Sequence, residues 1–199
     1  MAARTEEWLL ESGERVIARP VCPGDEGLTR AFVRGLSERS RYYRFHGAVA
    51  DTHASLLERL TRVDQYRQVA LIVVAIEHGQ RVQIAEARFA PGETPGVAEF
   101  ALVVDDRWQG RGIGSKLLER VEELARATGY VGLGGDVLRD NRPMVRLARR
   151  CGFDVSEYAG DPGLVRVDKA LAGVALEAII PARRRAAGDS VLTYGESRS

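Results

Sequence analysis

The chain has 199 residues, 45% hydrophobic and 29% charged, with a formal net charge of +1; this suits one domain with a sizeable core and leaves no bulk field to draw in nucleic acid or a membrane surface. Two distant cysteines, Cys22 and Cys151, argue against a disulfide framework or a metal knuckle, and no metal site is expected. Arg4, Glu6, Glu7 and Glu11 interrupt any leader, and the longest apolar run, Val69 to Ile76, is too short for a bilayer, so the expected compartment is the cytoplasm.

In chain order, Met1 to Gly13 reads as a short acidic helix or loose arm, and Glu14 to Arg19 as a first strand stopped by Pro20 and the Pro23-Gly24 pair. Asp25 is placed to cap a helix running to about Leu36, with Leu28, Phe32, Val33 and Leu36 on its apolar face. Ser37 to Gly47 is aromatic and basic, with no clear period. Asp51 or Thr52 is placed to cap a second helix through Leu56, Leu57 and Leu60. Val69 to Ile76 (VALIVVAI) reads as a central strand buried on both faces. His78-Gly79 then turns into a strand over Arg81 to Phe89. A Pro/Gly loop leads to the strand Val97 to Val104. Further strands are expected at Val131 to Val137, Phe153 to Val155 and Leu164 to Asp168, with a helix from Asn141 to Gly152 among them. The domain plan is an arm at 1–13, a catalytic-size domain at 14–170 and a partly mobile extension at 171–199.

The decisive stretch is Glu99 to Lys116, EFALVVDDRWQGRGIGSK. A strand ends in a polar turn, three alternate glycines follow, and a helix begins with Ile113, Leu117, Leu118, Val121, Leu124 and Ala125 on one face. Strand, glycine turn and helix N-terminus together form an anion site, most often for phosphate. The dinucleotide pattern fails because its third glycine falls on Ser115. The P-loop pattern fails because it requires glycine at Ser115. The spacing that fits is Q-x-x-G-x-G: Gln109, Gly112 and Gly114.

This loop resembles the acyl-CoA pyrophosphate loop of the GCN5-related N-acetyltransferase (GNAT) superfamily. The block DNRPMVRLARRCGF, with Asn141, Leu147, Gly152 and Phe153, resembles that family's Asn-to-Gly-Phe block. The front half, through LSERSRYYRF and AEFALVV, looks like bacterial Pat-type protein lysine acetyltransferases. The resemblance covers about 14–170. It implies an α/β fold with a mixed, mostly antiparallel sheet, splayed at the acyl-CoA site and carrying helices on both faces. It also implies acetyl-CoA as co-substrate. On that reading the strand backbone at Leu102, Val103 and Val104 lies along pantetheine, and the loop Gln109, Gly110, Arg111, Gly112, Ile113, Gly114 holds the pyrophosphate. Ser115 and Lys116 add a hydroxyl and a charge, and Asn141 both caps its helix and meets CoA. Trp108 and Cys151 read as packing residues.

An acceptor amine with a pKa of ~10.4 must lose a proton before it attacks the thioester. Glu99, the only acid within its strand and the match to the acid of the AEFA segment, is the candidate general base; the competing reading is an outward-facing glutamate. Asp105 and Asp106 read as solvated. The tyrosine that many family members use as general acid is replaced by Ala148, with Tyr158 a weak substitute. Tyr42, Tyr43, Phe45 and His46, beside Arg39, Arg41 and Arg44, suit a protein lysine as acceptor. A small-molecule amine acetyltransferase and a non-catalytic CoA-binding module stand as alternatives.

Overall fold

The structure is a computed structural model that describes residues 3–45 and 54–171. His46, the expected cap at Asp51 or Thr52, and the extension after Leu171 lie outside these residues. Eight strands form one sheet: β1 (Glu6–Leu9), β2 (Arg15–Pro20), β3 (Val69–Glu77), β4 (Gln80–Pro91), β5 (Val97–Val104), β6 (Gly132–Leu138), β7 (Asp154–Glu157) and β8 (Leu164–Ala170). The helices are α1 (Glu26–Gly35), α2 (Glu38–Phe45), α3 (Ala54–Thr61), α4 (Ile113–Ala127) and α5 (Arg142–Arg150). Strand order is β1-β2-β3-β4-β5-β6-β8-β7. Every neighbouring pair is antiparallel except β5 with β6, which the α4 crossover makes parallel.

Burial explains the layering. Along β3, Val69, Leu71, Val73 and Ala75 enter the core beneath α4 and α5, while Ala70, Ile72 and Val74 pack on the opposite face. On that second face, Phe32, Val33 and Leu36 at α1 meet Leu56 and Leu60 of α3 and Val103 of β5. The six apolar residues of α4 expected to face inward are all buried, each large one contributing roughly 1.5–3 kcal/mol. Helices therefore cover both faces, as expected. His78 and Gly79 both have positive φ, at 51° and 78°, the geometry of a two-residue hairpin turn.

Three local expectations are corrected. Residues 6–9 are a strand, because Trp8 reaches the core while Glu6 pairs with Arg120 and Glu7 with Arg15. Asp25 stands at the start of α1 but makes no cap; its carboxylate turns to Arg19, at 2.6 and 2.7 Å, and to the Cys22 amide. Asp105 is buried rather than solvated, accepting from the backbone and side chain of Arg107. Within the unassigned aromatic segment, Glu38–Phe45 forms α2. Among the described residues no helix is long and apolar enough to cross a membrane.

Candidate active site

The site begins where two strands part. β5 pairs with β4 from Ala98 to Val104, yet it pairs with β6 only through Val97↔Gly132, Ala98↔Leu133 and Glu99↔Gly134. Past Glu99, β6 stays with β8 along its whole length, and a cleft opens between β5 and β6. Backbone groups alternate between the edges of a strand. The Val97 carbonyl and the Asp105 amide both bond on the β4 side, so the polar groups of Leu102 and Val104 face the open edge. Those of Val103 point to β4. A ligand carrying its own amides can lie along this edge like an added strand.

At the end of β5 the glycine loop divides its labour. Gly110 and Gly112 have φ of 77° and 81°, a conformation that favours glycine; Gly112 is the residue from which α4 starts. Gly114 is helical and serves packing, since a Cβ there would stand 3.2 Å from Leu147 Cδ2. The first bond within α4 runs from the Lys116 amide to the Gly112 carbonyl, so the amides of Ile113, Gly114 and Ser115 lack acceptors in the helix and point out of its positive end. Gln109 fixes the loop to the strand: its Nε2 donates to the Val104 carbonyl at 3.0 Å and to Ser40 Oγ at 3.4 Å. The Arg111 side chain turns away from the anion position, pairing with Glu14 and stacking 4.6 Å from the Trp108 ring centre. Only its backbone remains for a ligand. Trp108 is buried and its indole donates to Glu77, the packing role expected.

Glu99 stands on the cleft wall at the fork itself, its side chain 14% exposed. It is not an outward-facing glutamate. Arg166 Nη1 donates to it at 3.4 Å, and the same guanidinium reaches Asp136 at 2.7 Å and Asp168 at 2.9 Å. Asn141 also lines the cleft, and its Oδ1 accepts from the Met144 amide at 3.2 Å, so the cap exists and its side chain is beside the opening. Ala148 is fully buried. Tyr158 lies on the cleft wall with Glu99 and Asp136; burial, then the charges of Asp136 and Glu93, push its hydroxyl pKa up, so it stays protonated.

Helix α2 forms the remaining wall through Tyr43, Arg44 and Phe45. Its N-terminal end is tied to the loop after β5, where the Ser37 amide, Ser37 Oγ and Ser40 Oγ all donate to Asp106 at 2.8–3.0 Å. Its other end reaches across the cleft, the Tyr43 hydroxyl donating to the Asp140 carbonyl at 3.1 Å. Two of the arginines expected to face an acceptor are otherwise engaged. Arg44 is buried against Glu86, and Arg39 donates to the Tyr43 hydroxyl. The residues that sequence reasoning missed are Asp136, Arg166, Asp168 and Glu86. The alternation Val165-Arg166-Val167-Asp168 in a strand was the available signal for two of them.

Comparisons with known proteins give the family and the fold. The acetyltransferase (GNAT) family profile matches residues 36–153. Acetyltransferase PA5475 of Pseudomonas aeruginosa is 27% identical over 154 residues, covering 76% of this chain and 83% of that protein. Acetyltransferase Pat of Mycolicibacterium smegmatis is 35% identical over 144 residues, which are 72% of this chain and 42% of that longer protein. The crystallised GNAT domain of S. lividans PAT superposes with a TM-score of 0.75 at 28% identity, over 84% of this chain and 97% of that domain. The yncA protein of Salmonella typhimurium, solved with its cofactor acetyl-CoA, shares the fold at 19% identity, with a TM-score of 0.60 over 80% of this chain and 96% of that one. The profile match spans more than half of the sequence, and it decides the chemistry: the chain belongs to the acetyltransferase (GNAT) family and is an acetyl-CoA-dependent N-acetyltransferase.

Proposed function

We propose that the chain acetylates a protein lysine by direct attack of the amine on acetyl-CoA in a ternary complex, with Glu99 as general base. The observation that carries this reading is the end of β5–β6 pairing at Glu99↔Gly134. It leaves an open strand edge for pantetheine on one side of the fork and a carboxylate at its root. Glu99 accepts a proton from the ammonium, and the freed nitrogen lone pair attacks the thioester carbonyl. The tetrahedral intermediate collapses with C–S cleavage as the nitrogen sheds its remaining surplus proton to water, and Glu99 returns its own proton to solvent. The departing sulfur of CoA, a thiol with a pKa of about 8.5 when free, is a tolerable leaving group as thiolate. Tyr43 and Phe45 give the acceptor side aromatic walls for an aliphatic stem.

The pyrophosphate belongs on the amides of the 109–114 loop, and Asn141 meets CoA from the cleft wall. Gly112 is the clean probe, because its Cβ direction is open. Gly112→Asp puts a negative charge against the diphosphate and strains φ. Like charges in contact cost several kcal/mol, so acetyl-CoA affinity by calorimetry should fall by roughly a hundredfold or more. Wild-type affinity in a folded variant would sink the loop assignment. Gly114→Asp is less clean, since any Cβ there also presses on Leu147.

One observation favours a second acceptor class. Polycationic small molecules are held by clustered carboxylates, and Glu99, Asp136 and Asp168 supply such a cluster from β5, β6 and β8. Thiol release from acetyl-CoA should be counted against lysine peptides, spermidine and an aminoglycoside, alongside a lysate treated with radiolabelled acetyl-CoA. Labelled protein and turnover on peptide lysines are expected. Robust acetylation of spermidine or the aminoglycoside with no labelled protein would rule the lysine reading out.

A further inference from the structure

Strand β8 alternates. Val165 and Val167 point into the core beneath α4 and α5, which sends Arg166 and Asp168 to the other face, the face of Glu99. The β6–β8 register sets Asp136 opposite Arg166 and Gly134 opposite Asp168, while β5 sets Glu99 beside Gly134. Four charged side chains thus meet at the root of the fork. Arg166 is at their centre, its side chain only 7% exposed.

We propose that Arg166 is a positioning residue for Glu99: its guanidinium, gripped by Asp136 and Asp168, sets the direction of the carboxylate at the fork. The inference rests on Glu99 being the general base. Asp168 takes Nε at 2.9 Å and Asp136 takes Nη1 at 2.7 Å, which fixes the plane of the guanidinium; Glu99 receives the longer contact of 3.4 Å from the same Nη1. The strand beneath is bare to admit it. A Cβ on Gly134 would stand 2.2 Å from Arg166 Nη2 and 2.1 Å from Asp168 Oδ1. Burial works against the Arg166 charge, but Asp168, Asp136 and Glu99 outweigh it and raise its pKa, so the cation persists throughout the working pH range.

Arg166 and Asp168 of β8 and Asp136 of β6 share one ion-pair network with Glu99, and Tyr158 and Arg44 line the same cleft. Removing Arg166 takes from Glu99 the donor that aims it, and removing the Asp136 charge loosens the grip on the guanidinium.

The test splits kcat from KM. In Arg166→Met kcat should fall by roughly ten- to a hundredfold, with acetyl-CoA affinity by calorimetry retained, and Arg166→Lys should recover part of the rate. Asp136→Asn should lower kcat in the same sense, and this variant decides the matter if Arg166→Met fails to fold. A wild-type kcat in the folded variants, or a loss confined to KM, would overturn the positioning role. Failure of the underlying reading looks different: Glu99→Gln would then keep the wild-type rate, whatever the Arg166 variants do.

Discussion

Glu99→Gln is expected to lower turnover by roughly 10²–10⁴ while acetyl-CoA affinity stays at its wild-type value. Glutamine keeps the length and planarity of the side chain, and its amide oxygen still accepts from Arg166 Nη1. What it loses is the ability to take a proton. The proposed cofactor contacts are backbone groups of Leu102 and Val104 and the amides of the glycine loop, none of which the substitution touches. Thiol release should collapse with a good acceptor, and calorimetry should be unchanged. An unchanged rate would move the base to His46 or to solvent.

The largest stability effect is expected at Glu86, in the middle of β4, where the residue is 1% exposed. Its carboxylate accepts from Arg44 of α2 at 3.1 Å and from Arg88. Arg88 in turn donates to the Leu60 carbonyl at 2.9 Å. One carboxylate thereby ties the cleft-lining helix and the end of α3 to the sheet. Glu86→Ala takes the shared carboxylate away from two inward-turned guanidiniums, and breaking a buried pair this way costs about 3–5 kcal/mol, a large share of the 5–15 kcal/mol typical of a domain. Urea unfolding would measure it, and a loss under about 1 kcal/mol would mean the arginines find other acceptors. Burial pushes the Glu86 pKa up, but the charges of Arg88 and Arg44 outweigh it and leave the folded value below the ordinary one. The unfolded chain thus binds the proton first on acidification. The contribution of Glu86 is present above the ordinary glutamate pKa and is lost as pH falls through the lowered folded value. Wild type should lose stability more steeply than Glu86→Ala as acid is added.

The same residue shows what the sequence could carry and what it could not. The strand β3 is legible because eight apolar residues in a row admit few other placements. The turn His78-Gly79 and the cap Asn141 are legible because each acts within a few residues of itself. The glycine loop is legible because backbone geometry dictates its spacing. Glu86 depends on Arg44, 42 residues away, and no local pattern announces that pairing. Asp136, Arg166 and Asp168 likewise meet only through the registers of β6 with β8 and β5. Strand β1 was hidden because its four residues carry two glutamates whose partners, Arg15 and Arg120, are supplied by other elements. Asp25 offered a helix cap by sequence, but the guanidinium of Arg19 is the stronger partner for a carboxylate.

Helix α2 is fastened at Asp106 on one lip of the cleft and at Asp140 on the other. Asp106 precedes the glycine loop, and Asp140 precedes the Asn141 cap. The wall facing the acceptor therefore shares its anchor points with the segments proposed to grip the cofactor. Occupancy of one compartment and the shape of the other become a single thermodynamic quantity. Whatever factor acetyl-CoA contributes to acceptor affinity, the acceptor must return to acetyl-CoA.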